Sequence, residues 1–233
     1  MKLPRLSASE LRIAAAVASC ALILVAAPWW GPRALSNLAF FRVRAVQVDG
    51  AHYVTSTDVV ARLRVDTMMS VWDDVRPLEA RLRTLPELQG ARITRKLPGT
   101  LVVRVTEKTP VALIPATGDL RVYGGDGTVL PIDPTRIDVD LPIVSRPDLR
   151  VLRLLDTVRT QIPALFARIS DVRRLASGEL LLTMPDAVVR APSDVGAERL
   201  AQVLPVAADL ARRHVRATEL DLRYRDQVIA RLQ

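Results

Sequence analysis

The apolar positions of the chain form one long run and then a series of short ones. Ile13 to Trp30 reads IAAAVASCALILVAAPWW, about 18 residues without a charge, which as an α-helix spans roughly 27 Å, close to the hydrocarbon thickness of a bilayer. Trp29 and Trp30 stand at its end, where amphipathic aromatic rings favour the membrane interface. Beyond a short connector the periods change. Val43 to Val48 predicts a strand closed by Asp49-Gly50, and Thr55 or Thr57 caps a helix over Asp58 to Leu63. Pro77 to Leu85 predicts a second helix, with Leu78, Leu82 and Leu85 on one face and Pro77 in the first turn, where its missing N–H has no partner to lose. Ala91 to Lys96 and Leu101 to Lys108 predict strands around a Pro98-Gly99 turn. Leu101, Val103 and Val105 then face one way, and Arg104, Thr106 and Lys108 the other.

Thr109-Pro110 marks a domain junction. Strands follow at Val111 to Ile114, Leu120 to Tyr123 and Thr128 to Ile132, the last two joined by a tight Gly124-Gly125-Asp126-Gly127 hairpin. A helix from Asp148 to Thr160 turns Leu149, Leu152, Leu155 and Val158 toward a core. Strands at Asp171 to Leu175, Glu179 to Met184 and Ala187 to Arg190 come next. A long helix over Val195 to His214, kinked at Pro205, precedes a terminal hairpin of Glu219 to Tyr224 and Gln227 to Leu232 around Arg225-Asp226. The fold class read from this order is α+β. It consists of a single transmembrane helix, a β-α-α-β-β domain, and a mixed β domain with an antiparallel sheet and flanking helices. The domains expected are a cytoplasmic tail at 1–12, the membrane helix at 13–30, a connector at 31–39, and folded domains at 40–108 and 109–233.

Charge sets the topology. Lys2, Arg5 and Arg12 precede the apolar run, so the positive-inside tendency keeps the N-terminus cytoplasmic and exports the rest. Val25-Ala26-Ala27 offers small residues for signal-peptide cleavage, but Pro28 follows directly and disfavours it, so an uncleaved anchor is expected. The 233 residues carry a net charge of +8, and hydrophobic residues make up 49% against only 4% aromatic, so the core is aliphatic. The arginines are scattered and form no block, which fits a solvated surface near an anionic membrane rather than nucleic-acid binding. The one cysteine, Cys20, lies in the apolar run, which excludes a disulfide within the chain.

No enzyme chemistry emerges. No serine sits in a G-x-S-x-G elbow, and His52 and His214 are far apart and read as surface residues, so neither a triad nor a metal site is expected. Asp73-Asp74 and the group Asp133, Asp138 and Asp140 read as turn and loop residues. A sugar-cleaving groove needs paired carboxyls, usually with stacking aromatics, and only Trp72 is available outside the anchor. The Gly124 to Gly127 run lacks the lysine and following helix of a phosphate loop. No catalytic residue, cofactor or metal is therefore assigned.

The segment ARITRKLPGTLVVRVTEKTPVA, from Ala91 to Ala112, resembles the end of the POTRA domain and the following junction in the FtsQ/DivIB family of bacterial cell-division proteins. Arg95, Pro98, Leu101, Val105, Glu107, Pro110, Val111 and Ala112 carry the likeness. Phe41-Arg42-Val43 and Val46 to Gly50 resemble that family's first POTRA strand. Asp126-Gly127, Leu141-Pro142 and Asp221-Leu222-Arg223-Tyr224 match in order downstream. Leu97 departs from the pattern, since many relatives carry an aromatic before the proline.

The resemblance implies a non-enzymatic scaffold in the cell inner membrane at the division septum. It would link early division proteins to septal wall synthesis. Its partners would be FtsB/FtsL-like single-pass proteins at the β domain and other divisome components at the POTRA domain. The last strand is expected to be a sheet edge that accepts a partner strand. The partner-binding residues implied are Arg223, Tyr224, Gln227, Val228, Ile229, Ala230 and Arg231, with Ile13, Trp29 and Trp30 in the anchor. Tyr224 would be a buried contact and Arg223 would meet acidic groups, unless Tyr224 simply packs in the hairpin and Arg223 is solvated. The competing functions are a membrane-anchored wall-processing enzyme and another POTRA-bearing transport or assembly component.

Overall fold

The computed structural model describes residues 12, 15–23, 25–26, 35–36, 38–134, 140–224 and 227–232. Of the expected anchor, residues 15–23 and 25–26 are helical and largely exposed, while Ile13, Trp29 and Trp30 lie outside the described residues. No helix among the described residues is long and apolar enough to cross a membrane. Asp138 and the expected hairpin tip Arg225-Asp226 also lie outside them.

The chain divides into two compact units. The first comprises the described residues up to Ala51 together with Thr55–Thr84 and Gly90–Thr106. Its elements are β1 (Ala45–Asp49), α1 (Ser56–Leu63), α2 (Arg76–Leu82), β2 (Leu88–Lys96) and β3 (Thr100–Glu107), and the sheet order is β1-β3-β2. The expected β-α-α-β-β order is present. Thr55 caps α1, its hydroxyl oxygen accepting the Asp58 N–H at 3.1 Å. α2 ends at Leu82, short of the expected Leu85. The Thr84 N–H and hydroxyl both turn back to the Arg81 carbonyl, and Leu85 precedes Pro86, which disfavours helical backbone. β1 pairs with β3 in parallel, Val46 opposite Leu101 and Val48 opposite Val103. Leu101, Val103 and Val105 are buried with Val59, Leu63, Leu78, Leu82 and Ile93, while Arg104 and Thr106 face water, as the alternation requires.

The second unit comprises His52–Val54, Leu85–Gln89 and Glu107–Gln233. Its strands are β4 (Pro110–Ala116), β5 (Asp119–Gly124), β6 (Val129–Leu130), β7 (Ile143–Val144), β8 (Asp171–Arg174), β9 (Leu180–Thr183), β10 (Val188–Ala191), β11 (Ala217–Asp221) and β12 (Ile229–Leu232). Its helices are α3 (Leu149–Gln161), α4 (Pro163–Phe166), α5 (Ala197–Ala201) and α6 (Val203–Arg212). One nine-stranded sheet runs in the order β12-β11-β10-β9-β8-β7-β4-β5-β6. It is antiparallel along most of its width but not throughout. The pairs β4 with β7, β7 with β8, and β10 with β11 are parallel.

A single core forms between one face of this sheet and the helices. Val151, Leu152, Leu155 and Val158 of α3, Leu165 and Phe166 of α4, Leu200 of α5 and Val203 of α6 meet Val172, Leu180, Leu182, Val189 and Leu220 from the strands. Asp148 caps α3 by accepting the Arg150 N–H at 2.9 Å and the Val151 N–H at 3.3 Å. The single long helix expected over Val195 to His214 is instead two, broken at Gln202, three residues before Pro205. A proline clashes with the carbonyl four residues earlier, so the break falls upstream of it. Pro205 then sits in the first turn of α6, where its missing N–H costs nothing. His214, just past α6, has φ 56, the left-handed conformation of a helix C-terminus.

Two contacts fix the ends of this unit. The Glu107 carboxylate accepts three successive backbone N–H groups, from His52 at 2.9 Å, Tyr53 at 2.8 Å and Val54 at 2.9 Å, a nest of donors around one anion. At the β5–β6 turn, a Cβ on Gly125 would fall 2.6 Å from the Asp156 Cβ of α3, so only glycine lets the hairpin approach the helix this closely. In urea unfolding, Glu107→Gln is expected to lose about 1–3 kcal/mol, because an amide cannot accept all three N–H groups. Gly125→Ala is expected to lose about 1–3 kcal/mol by overpacking. Gly90→Ala, where a Cβ meets nothing within 4 Å, serves as the silent control.

Candidate functional site

The terminal strand β12 stands at one end of the sheet. It pairs antiparallel with β11 alone, Ile229 opposite Asp221, Ala230 opposite Leu220 and Arg231 opposite Glu219, with a register shift between Ala217 and Glu219. Its outer side therefore presents backbone N–H and C=O groups with no strand beyond them among the described residues. Val228 and Ala230 pack against the core, and Gln227, Ile229 and Arg231 are exposed on the opposite face. Of the residues implied as partner-binding, Gln227 and Val228 precede the strand, and Arg223 and Tyr224 follow β11 rather than continue it. At the turn beyond β11, Leu222 is fully buried and its N–H donates to the Arg190 carbonyl of β10 at 2.8 Å.

Arg199 of α5 holds that turn. Its Nε donates to the Leu222 carbonyl at 2.9 Å and its Nη2 to the Tyr224 carbonyl. Sequence reasoning gave Arg199 no role, since a cation on a short helix carries no local sign that it will reach carbonyls more than twenty residues ahead. With the backbone held, the Tyr224 side chain is 52% exposed and is not part of the terminal core. Ile229 and Leu232 are also exposed, at 43% and 55%. Three apolar or amphipathic side chains thus sit along one unpaired edge.

The face of the sheet beside this edge carries a connected set of charges. Arg223 donates from Nη2 to Asp221 Oδ2 at 2.6 Å, from Nε to Asp221 Oδ1 at 2.9 Å, and from Nη1 to Glu179 Oε1 at 3.0 Å. Arg190 lies 3.7 Å from Glu179 Oε2 and 3.2 Å from Glu219 Oε1, and Arg231 lies 3.6 Å from Glu219 Oε2. The chain of contacts runs Asp221, Arg223, Glu179, Arg190, Glu219, Arg231, with cations and carboxylates alternating. The carboxylates are mostly covered, whereas the Arg231 side chain is 75% exposed. The Arg223 guanidinium, implied as a contact for a partner's acidic groups, is thus already engaged on both sides within its own chain. Arg231 is the cation of this row that water reaches most freely.

Hydrogen bonding to Arg223 holds the Asp221 carboxyl below the usual carboxylate range, against the opposing effect of burial, and the Arg223 guanidinium is raised in turn. At the far end of the sheet the Asp126 carboxyl is held at about 2. Burial pushes it up, but the Lys108 ammonium and the Thr128 N–H and hydroxyl outweigh that push. Among the described residues no group of three His, Cys, Asp or Glu is placed to hold a metal ion. Asp73 and Asp74 are taken up locally, Asp73 accepting the Ser70 N–H at 2.8 Å and Asp74 the Arg76 guanidinium at 2.9 Å.

A folded-state pKa below the unfolded value contributes stability that is present above the unfolded pKa and lost as pH falls through the folded one. The advantage of the native chain over Asp221→Asn is therefore expected to hold above pH about 4 and to vanish progressively below it. Urea titrations of both proteins across that range check this, and a constant gap at all pH values is the contrary result.

Residues 41–108 match the family model of the POTRA domain, FtsQ-type. The cell division protein FtsQ of Bradyrhizobium diazoefficiens is 27% identical over 150 residues, covering 64% of this chain and 42% of that one, so the chain spans less than half of that relative's length. FtsQ of Myxococcus fulvus is 29% identical over 198 residues, covering 75% of this chain and 69% of that one. The major extracytoplasmic domain of DivIB from Geobacillus stearothermophilus matches 46% of this chain and 97% of its own, at 17% identity and a TM-score of 0.36. The POTRA match, together with FtsQ relatives whose likeness extends well beyond it, gives this chain an FtsQ-type POTRA domain and a likeness to FtsQ cell-division proteins over most of its length.

Proposed function

We propose that the protein is a non-enzymatic scaffold of the bacterial division machinery. Residues 13–30 would anchor it in the inner membrane, with the N-terminus cytoplasmic and both folded units outside, at the septum. The second unit takes a strand from an FtsB/FtsL-like single-pass partner along the outer edge of β12, while the POTRA domain contacts other divisome components. The chain thereby connects early division proteins to septal wall synthesis. The observation that carries the strand-addition reading is the position of β12 at the end of the sheet, with exposed Ile229, Leu232 and Tyr224 beside its free edge. Backbone groups would give a partner strand its affinity, and alternate side chains its specificity.

The charge row refines the part played by the residues around the edge. Arg223, bound to Asp221 and Glu179, fixes the turn from which Tyr224 projects, and Arg231 is placed to meet an acidic group on the partner. A partner carboxylate near Arg231 also adds to association rate through long-range attraction.

Site-specific photocrosslinking in cells tests this reading. Probes at Gln227, Ile229 and Arg231 are expected to capture a small membrane protein more strongly than probes at Val228 and Ala230, which face the core. A strand silent at every position rejects strand addition. Depletion of the protein is expected to give filamentous cells, and normal division in a strain with no second copy rejects the scaffold role. Ile229→Asp is expected to weaken partner capture tenfold or more, about 1.4 kcal/mol or above, without unfolding the chain, since the side chain is exposed.

A further inference from the structure

The first unit carries, at one end, a group of apolar side chains that its own core does not use. Leu38, Phe40, Met68 and Leu97 are each at least 50% exposed. They come from three separate stretches of sequence, and backbone hydrogen bonds gather the segments that bear them. The Gly99 carbonyl accepts the Arg44 N–H at 2.8 Å and the Ala45 N–H at 3.3 Å. The Val43 N–H donates to the Met69 carbonyl at 2.8 Å, and the Val71 N–H to the Phe41 carbonyl at 2.9 Å. A Cβ on Gly99 would lie 2.6 Å from the Arg42 carbonyl oxygen, so the contact admits no larger residue. The tip of the β2–β3 hairpin and the Met68-Met69 turn therefore flank residues 38–44, by which the chain enters the unit.

Cations surround the same end. Arg42, Arg44 and Lys96 lie on the segments just described. The Arg44 guanidinium donates to the Phe40 carbonyl at 3.0 Å and lies 5.9 Å over the Phe40 ring. Among the described residues no carboxylate pairs with any of the three. The carboxylates of the adjoining turn are engaged elsewhere. Asp66 accepts the Met68 N–H at 2.9 Å and Asp73 the Ser70 N–H at 2.8 Å. Apolar side chains ringed by cations without counter-charges match the boundary between acyl chains and anionic headgroups.

We propose that this end of the POTRA unit rests on the anionic surface of the bilayer, with Leu38, Phe40, Met68 and Leu97 at the headgroup boundary and Arg42, Arg44 and Lys96 on lipid phosphates. The inference rests on the reading of residues 13–30 as an anchor, which brings the chain to the membrane about ten residues before Phe40. The anchor and the surface contact would together restrict the tilt of the unit, so that its partners meet it in a set orientation. Leu97 gives the β2–β3 hairpin an exposed apolar tip at this position.

The test uses the full chain with Cys20→Ala and a single fluorescent label at Leu97→Cys, reconstituted into vesicles of one phosphatidylglycerol to two phosphatidylcholines. Lipids bearing a shallow spin label are expected to quench the Leu97 label more strongly than the same label at Ile143→Cys in the second unit. At least about half of that quenching is expected to disappear when Arg42, Arg44 and Lys96 are all changed to Gln, or when phosphatidylglycerol is omitted. Equal quenching at both sites, in a chain that resists carbonate extraction, overturns the surface contact and leaves the anchor standing. Extraction of the chain by carbonate overturns the anchor, and the contact with it. Quenching unchanged by the triple substitution overturns the assignment to anionic lipid, and quenching lost on adding a division partner assigns the patch to that protein instead.

Discussion

An open sheet has two edges and two faces, and only one of those faces can be buried by the helices of a single layer. The second unit is governed by this constraint. α3 to α6 cover one face and share one aliphatic core with it. The other face must remain compatible with water while its strands stay in register. The alternation of Asp221, Arg223, Glu179, Arg190, Glu219 and Arg231 meets that requirement on the β9–β12 side. Glu179 and Glu219 are each bracketed by two guanidinium groups and Asp221 is held by Arg223, so the row is internally neutralised, and little of its charge is free for a ligand except at Arg231.

The edge is treated differently. Natural sheets blunt an unpaired edge with prolines, lysines, bulges or a covering loop. β12 has none of the first two, and the irregularity at Ala217 and Glu219 lies in its neighbour, at the opposite end from the Tyr224 turn. A free edge flanked by Ile229 and Leu232 is a hazard in a chain that works alone, and an asset in one that waits for a partner strand. Arg199 adds to this by holding the carbonyls of Leu222 and Tyr224, which fixes the backbone from which Tyr224 projects. Packing of the hidden face thus sets the position of the exposed one.

Much of the architecture was legible in the sequence where local chemistry decides it. Thr55 announced its helix by capping, Pro98-Gly99 and Gly124 to Gly127 announced their hairpins, and the alternation of Leu101, Val103 and Val105 gave the buried face of β3. What was not legible depends on long-range pairing. β7 is two residues long and exists only because β4 and β8 flank it in parallel, and α4 is a single turn begun by Pro163. The break at Gln202 was misplaced at Pro205, because a proline disturbs the turn before it rather than its own position. At the candidate site the terminal edge was readable from chain order. The partners of Arg223 were not, since Glu179 lies 44 residues away. Nor was the hold of Arg199 on the turn.

β12, as an open edge ready for the proposed partner strand, has a signature in its backbone amides. Backbone amide hydrogen exchange of the full chain, alone and with its partner, tests it most directly. Alternate amides from Ile229 to Leu232 are expected to exchange rapidly in the free chain, because they point away from β11, and to become protected when the partner binds. Amides of β12 that are all protected in the free chain, or that exchange equally fast with the partner bound, would contradict it.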